Sequence, residues 1–194
     1  MRLLGGSELV ARGSTVNGVG INRINNIVQI HHSTSHDIIT LPATAYNRIN
    51  MLTTSFPSLV QHMSTSRVLG LYFASAWCPD CTPVTPKLKS IFENQPASDF
   101  SVVYVSSDNS EQQMMDVFQN QHGKWGMIPF GNFEERNNLK RHFGVCAGKE
   151  AMGLGMTTTR KYGIPTLVLI DCATQEVLTY DGVTDVMNGS LLQK

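Results

Sequence analysis

Three runs of apolar residues stand out along the chain because almost every position in them is hydrophobic. They are Val68–Ala74, Phe100–Val105 and Thr166–Ile170. A strand that faces water on one side alternates apolar and polar residues, whereas a strand buried on both faces does not. The three runs therefore predict the central strands of a sheet that is covered on both faces.

Four segments beside these runs have features of helices. They cover residues 56–63, 81–92, 108–123 and 132–143. In the third segment, Asp108 and Glu111 have the spacing of a capping box, so we expect Asp108 to cap that helix. Gly144 is expected to end the fourth segment, because glycine adopts the left-handed conformation that often follows a helix.

Shorter β-prone runs complete the pattern. Residues 27–30 and 38–41 surround a polar turn and predict a β-hairpin, while residues 176–180 follow the third central strand closely and should pair with it antiparallel. Strands that alternate with helices and end in a late hairpin predict an α/β fold. We expect a central mixed β-sheet flanked by helices, with an N-terminal β-hairpin.

The charge of the chain narrows its possible roles. Fifteen basic and fifteen acidic side chains among 194 residues leave no net charge, which argues against binding to nucleic acids or membrane surfaces through charge. No apolar run approaches the ~18 residues that span a bilayer. The expectation is a monomer without nucleic-acid or membrane partners.

The N-terminal part differs in composition from the rest. The first 79 residues hold five Arg, no Lys and only two acids. We expect residues 1–25 to form a flexible segment and residues 26–194 to form one domain. Gly5 and Gly6 interrupt the apolar core that a signal peptide needs, so a cytoplasmic location is expected. The acid-poor, Arg-containing start leaves a mitochondrial location as the alternative.

The candidate chemistry lies at Cys78 and Cys81, which follow the first central strand where a helix is expected to begin. The free N–H groups and the dipole of a helix N-terminus favour a thiolate, which is the nucleophile in disulfide exchange. Cys78 should attack a disulfide, and Cys81 should resolve the mixed disulfide. The alternatives are a pair of inert core cysteines or half of a zinc site. His142, Cys146 and Cys172 are the remaining candidate zinc ligands, but their spacing fits no compact second ligand pair. Cys146 and Cys172 are expected to be structural thiols.

Several motifs together carry a family resemblance. Residues 71–81, Leu-Tyr-Phe-Ala-Ser-Ala-Trp-Cys-Pro-Asp-Cys, resemble the active-site strand and turn of the thioredoxin superfamily. The tryparedoxin and nucleoredoxin branch is the most similar, and further similar motifs lie at residues 85–86, 102–106, 123–130, 143–145 and 163–167. The resemblance implies a thioredoxin-like fold over residues 66–187 and a redox-active Cys78–Cys81 pair that needs no cofactor and no metal.

The resemblance also implies roles for neighbouring residues. Trp77 would shield the disulfide and contact substrates, with Pro79 and Asp80 supporting the site. Pro165 is expected to follow a cis peptide bond opposite the two sulfur atoms, and the backbone of Ile164 would then pair with an extended substrate segment.

Three features of this chain depart from the family or from its best-known members. Asp80 replaces a second proline, and its charge should disfavour a nearby thiolate. Tyr72 takes the place of the buried acid of ordinary thioredoxins, a tyrosine that tryparedoxins share. Residues 146–162, here called the insert, stand where the family has only a few residues. The insert should lie beside the active-site face, either as a substrate-selecting element or as a tolerated surface loop.

Two functions follow as hypotheses. The first is a tryparedoxin-like thiol–disulfide oxidoreductase that reduces protein disulfides, such as those of peroxiredoxin-like or glutathione-peroxidase-like enzymes, with a low-molecular-weight dithiol or a reductase as electron donor. The second is a non-catalytic, nucleoredoxin-like module that uses the same face to bind proteins.

Overall fold

The computed structural model describes residues 52–192 and, before them, the backbone of four strands. The chain divides into two compact units, Met1–Met51 and Leu52–Lys194.

The first unit contains an antiparallel sheet with its strands in sequence order. The strands are β1 (Ser14–Val16), β2 (Val19–Ile24), β3 (Ile27–His32) and β4 (Ile38–Pro42). The turn of the predicted hairpin, residues 33–37, lies outside the described residues, as do residues 1–13. The hairpin, the flexible segment and the domain boundary after residue 25 stay predictions.

The second unit is built on a five-stranded sheet. Its strands are β5 (Val68–Ala74), β6 (Phe100–Ser106), β7 (Gly126–Met127), β8 (Thr166–Asp171) and β9 (Val177–Thr179). The spatial order is β7-β6-β5-β8-β9, in which β5, β6 and β7 are parallel and β8 and β9 complete the sheet by antiparallel pairing. The predicted mixed sheet is confirmed, because the three buried runs form its three central strands.

Five α-helices of the second unit lie wholly within residues 52–192, and residues 52–55 are helical as well. The five are α1 (Val60–Thr65), α2 (Val84–Glu93), α3 (Glu111–Gln121), α4 (Phe133–Phe143) and α5 (Gly182–Asn188). The sequence pattern identified the first four but not the short α5. The predicted cap of α3 is wrong: Ser110 is the N-cap, and its hydroxyl accepts a hydrogen bond from the backbone N–H of Gln113. Gly144 follows α4 with φ of 70°, as its place in the sequence predicted.

The sheet separates two hydrophobic cores because successive strand residues point to opposite faces. Leu69, Leu71 and Phe73 of β5 belong to the core that includes residues of α1 and α4. Tyr72 and Ala74 belong to the other core, which includes residues of α2, α3 and α5 together with Cys78 and Cys81. No helix among the described residues has the length and apolar character needed to cross a membrane.

Candidate active site

The two cysteines lie in a tight turn between β5 and α2. Cys78 caps a 3-10 turn over Pro79–Cys81, its backbone N–H donates to the carbonyl of Ser75 (3.2 Å), and the N–H of Cys81 donates to the carbonyl of Cys78 (3.2 Å). The α-helix begins at Val84, three residues later than the sequence predicted. The junction of strand and helix therefore holds Cys78 at the start of a helical turn, as the chemistry of a reactive thiol favours.

Both cysteines are free thiols that are almost fully buried. Cys78 is 4% exposed and Cys81 is 3% exposed, so burial alone does not distinguish the attacking thiol from the resolving one. The thiol of Cys78 donates to the backbone carbonyl of Ile164 (3.8 Å). The peptide bond between Ile164 and Pro165 is cis, as predicted. Cys78, Ile164 and Pro165 thus meet at one point of the surface.

The thiol of Cys81 is held in its neutral form. Burial is the main cause that raises its pKa well above the ordinary value, followed by its hydrogen bond with Cys78. The charges of Cys78 and of exposed Asp80 raise the same pKa further. A thiol in this environment is a poor nucleophile towards external disulfides, which agrees with a resolving role for Cys81.

Tyr72 supports the turn by a directed pair of hydrogen bonds. The hydroxyl of Thr85 donates to the carbonyl of Cys81 (3.1 Å), so it accepts from the hydroxyl of Tyr72, which lies 2.9 Å away. Burial raises the pKa of Tyr72. The phenol therefore stays neutral and acts as a donor that ties β5 to the active-site turn.

Asp108 is the polar centre of the site and was missed by the sequence pattern. One carboxylate oxygen accepts from the hydroxyl of Ser75 and the N–H of Ala76, both at 2.7 Å. The other accepts from the hydroxyls of Tyr104 (2.6 Å) and Ser106 (2.7 Å). Asp108 follows β6, the parallel neighbour of β5. That position was the available signal, because the carboxyl ends of parallel strands meet at one edge of a sheet.

A small cavity lies behind the two thiols. Its volume is about 10 Å³, room for about one water molecule, and its walls include Cys78, Cys81, Thr85 and His122. His122 is 6% exposed, and its Nδ1 accepts from the indole N–H of Trp125 (3.3 Å). Burial lowers the pKa of His122 to about 4. The imidazole is therefore neutral at pH 7, and its Nε2 carries the proton.

The remaining residues predicted for the site lie at its surface. Pro79 and Asp80 are exposed on the 3-10 turn, and Pro165 is half-buried. Trp77 is half-buried, and its indole N–H donates to the carbonyl of Ser107 (2.9 Å). The structure thus brings every predicted site residue to the end of the sheet where β5 runs into the turn.

The insert is anchored beside this site. Its ends are joined by a parallel bridge between Val145 and Tyr162. The carboxylate of Glu150 accepts hydrogen bonds from Nζ of Lys140 at 2.5 Å and from the hydroxyl of Ser107 at 2.6 Å. The side chain of Lys140 is only 1% exposed, so Glu150 is the anion that compensates a buried ammonium group.

The insert also contacts the active-site tryptophan directly. Nζ of Lys149 lies 3.7 Å from the centroid of a Trp77 ring and 2.6 Å from Oδ1 of Asn109. The expectation that the insert lies beside the active-site face is therefore confirmed. Lys149 and Glu150 could not be recognised from sequence, because nothing local to the insert indicates what it packs against.

A larger cavity opens on the other side of the cis peptide bond. It has a volume of about 480 Å³ and is lined by Pro165, Thr166 and Asp181, together with the rings of Tyr162 and Tyr180. The two rings stack with centroids 4.9 Å apart. The cavity thus adjoins Pro165 directly.

The other two cysteines lie elsewhere. Cys172 is part of the hydrophobic core that does not contain Cys78 and Cys81. Cys146 belongs to a small cluster with Leu154 and Met156. Burial raises the pKa of both thiols, to about 12 for Cys172. No group of three or more His, Cys, Asp or Glu side chains within the described part of the chain is arranged to hold a metal ion.

Comparison with known proteins gives consistent matches. A family model described as thioredoxin-like matches residues 66–177. The nucleoredoxin of Mus musculus is 28% identical over 122 residues, which are 62% of this chain and 24% of that protein. The tryparedoxin of Trypanosoma brucei brucei is 30% identical over 120 residues, which are 60% of this chain and 69% of that protein. The chain therefore spans about a quarter of the length of the nucleoredoxin that it matches.

Solved structures agree with these matches. A thioredoxin from Wuchereria bancrofti superposes with a TM-score of 0.54 at 30% identity, covering 67% of this chain and 78% of that chain. A tryparedoxin from Trypanosoma brucei superposes with a TM-score of 0.55 at 23% identity, covering 73% and 94%. The second match supports the fold alone.

The first prediction concerns Asp108. Replacement by Ala leaves its four donors without their acceptor and is expected to lower the free energy of unfolding by about 3 kcal/mol, with a smaller loss in Asp108→Asn. Urea denaturation measures both values. Asp116→Ala is the control, because that exposed carboxylate accepts a hydrogen bond from Gln112 of its own helix, and a change within ~0.5 kcal/mol is expected. Similar losses at the two aspartates would contradict the central role of Asp108.

The second prediction concerns the buried ion pair. Glu150→Gln leaves the ammonium of Lys140 uncompensated and should destabilise the protein by about 3–5 kcal/mol, whereas adding Lys140→Met should restore much of the loss. The exposed pair Lys89–Glu93, at 4.0 Å, is the control: Glu93→Gln should cost under about 1 kcal/mol. Failure of Lys140→Met to rescue would show that Glu150 acts mainly through its other contacts.

The third prediction uses the lowered pKa of His122. Between its ordinary pKa of 6.5 and about 4, the unfolded chain binds a proton that the folded chain does not, so stability is lost as the pH falls through this range. From about pH 7.5 to about pH 5 this one histidine should account for about 2 kcal/mol. His122→Phe should reduce the acid-induced loss by that amount in urea denaturation. An unchanged loss would mean that His122 protonates in the folded state.

Proposed function

Because the chain belongs to the thioredoxin-like family, we propose that it is a thiol–disulfide oxidoreductase that reduces protein disulfides through Cys78 and Cys81. The main support is the position of the two hydrogen-bonded thiols at a strand-to-helix turn, next to Ile164 and the cis Pro165. An extended segment of the target would pair with the backbone of Ile164 and continue into the cavity beside Pro165.

The reaction proceeds in two exchanges. The thiolate of Cys78 attacks one sulfur atom of the target disulfide, the target's sulfur–sulfur bond breaks, and the released thiolate takes up a proton. Cys81 then loses its proton and attacks the sulfur atom of Cys78, which releases the second thiol of the target. Two electrons and two protons pass from the dithiol to the target, and the protein is left with a Cys78–Cys81 disulfide. An external dithiol or a reductase returns it to the reduced form.

The tryparedoxin match supports a finer version of this proposal. The targets would be disulfides of thiol peroxidases, and the electron donor a low-molecular-weight dithiol. The nucleoredoxin matches support the second candidate function, a protein-binding module without catalytic activity.

The fourth prediction separates the two candidates. The purified protein should reduce insulin disulfides in the presence of dithiothreitol, and Cys78→Ser should reduce the rate to background because the attacking sulfur atom is lost. Cys81→Ser should accumulate a mixed disulfide on Cys78, which mass spectrometry of the intact protein detects.

Cys172→Ala is the matched control and should retain the rate, because this thiol lies in the other core. A wild-type protein that binds insulin without reducing it would favour the binding module. Trapping of the target by Cys78→Ser instead of Cys81→Ser would reverse the assigned roles.

A further inference from the structure

Lys149 places a positive charge over the ring of the residue that precedes the attacking cysteine in the sequence. Its ammonium group lies over the ring of Trp77, the residue that precedes Cys78, and is oriented by Oδ1 of Asn109. Both partners are neutral, so neither contact cancels the charge. Lys149 is exposed, and the donors that do not bind Asn109 are available to a ligand.

The other charges on this side of the site are largely balanced. Lys140 pairs with Glu150. Arg136 is buried and interacts with the charges of both Glu150 and Asp108. These two bases and two acids offset each other. Within residues 52–192 the cation over the Trp77 ring is Lys149, while the guanidinium of Arg160 lies against Gly163. The exposed acid of the turn is Asp80, which lies beyond Cys78 in the sequence.

The insert holds Lys149 in this position. Glu150, the next residue, is fixed by the buried Lys140 and by the hydroxyl of Ser107. The backbone carbonyl of Ser107 also accepts a hydrogen bond from the indole N–H of Trp77. The insert and Trp77 therefore share one support, so the ammonium group is pre-positioned relative to the active-site turn rather than carried by a free loop.

We propose that Lys149 is a specificity-determining residue that favours disulfides with a carboxylate next to the sulfur atom that Cys78 attacks. This inference rests on the proposed function, since it concerns the first exchange of that reaction. The carboxylate meets Lys149 while the target sulfur meets Cys78, and the attraction raises the rate of forming the mixed disulfide. An ammonium group in the same place is disfavoured.

Three small disulfides of similar size test this selectivity: dithiodipropionate with carboxylates, neutral hydroxyethyl disulfide, and cystamine with ammonium groups. The prereduced protein reacts with each in a single turnover, and oxidation of the dithiol is followed by stopped flow. The fifth prediction is that Lys149→Glu shifts the ratio of the dithiodipropionate rate to the cystamine rate by roughly tenfold towards cystamine. The rate with hydroxyethyl disulfide should change less than about twofold, and the shift should shrink at high salt.

Two control variants show whether the effect is specific to the charge at Lys149. Lys149→Arg should keep the wild-type ratio. Arg67→Glu changes the net charge by the same amount at the far end of β5, about 20 Å from the turn by strand length, and should leave the ratio unchanged. Equal shifts in Lys149→Glu and Arg67→Glu, an unshifted ratio in Lys149→Glu, or an equal change for all three disulfides would each overturn the proposal.

The source of the carboxylate is distinguished by two disulfide-bonded peptides with Glu or Lys beside each cysteine. Selectivity limited to the small disulfides supports a low-molecular-weight substrate, whereas selectivity that the peptides share with the small disulfides supports an acidic segment of a protein target. A wild-type protein that reduces none of these disulfides faster than dithiothreitol would contradict the proposed function itself. A normal rate without selectivity would contradict only the role of Lys149.

Discussion

The carboxylate of Asp108 is the constraint on which the geometry of the site depends. It joins the residues that follow β5, Ser75 and Ala76, to the end of β6, where Tyr104 and Ser106 contribute their hydroxyls. A largely enclosed carboxylate is tolerated only when its oxygens accept hydrogen bonds, and here each oxygen accepts two. The turn that carries the thiols is thereby fixed to the neighbouring strand at the point where the backbone ladder of the sheet ends.

On one side of the dithiol this polar centre continues into a group of charged side chains. Arg136 and Lys140 on α4 extend it towards Glu150, and Arg136 is held by the carbonyl of Phe130 (2.7 Å). On the other side, the thiols pack in a hydrophobic core with Leu88 and other apolar residues. The thiol of Cys81 is kept neutral by its burial, while the thiol of Cys78 faces the backbone carbonyl of Ile164. One turn thus provides two different environments for two identical side chains.

The parts of the site that were predictable are those encoded locally. The buried strand and the Cys-x-x-Cys spacing are short patterns, and the cis proline was implied by the family resemblance. All three appear where they were expected. Asp108 shows why other parts were not. Its spacing from Glu111 matches a capping box, yet in the structure it accepts four hydrogen bonds from the two parallel strands and their loops, and Ser110 takes over the cap. Tertiary contacts outweighed one local hydrogen bond at the start of α3.

Lys140 illustrates the same limit, because a lysine in a charged helix is ordinarily placed on the surface. Its burial depends on a carboxylate that the insert supplies ten residues later. The insert is consequently not a module that can be exchanged alone. Shortening this loop would remove the carboxylate of Glu150 and leave the buried ammonium group of Lys140 without a counter-charge. An evolutionary gain or loss of the insert therefore requires a compensating change in α4. Among relatives of this chain, a short loop at this position should therefore occur together with an uncharged residue at the position of Lys140.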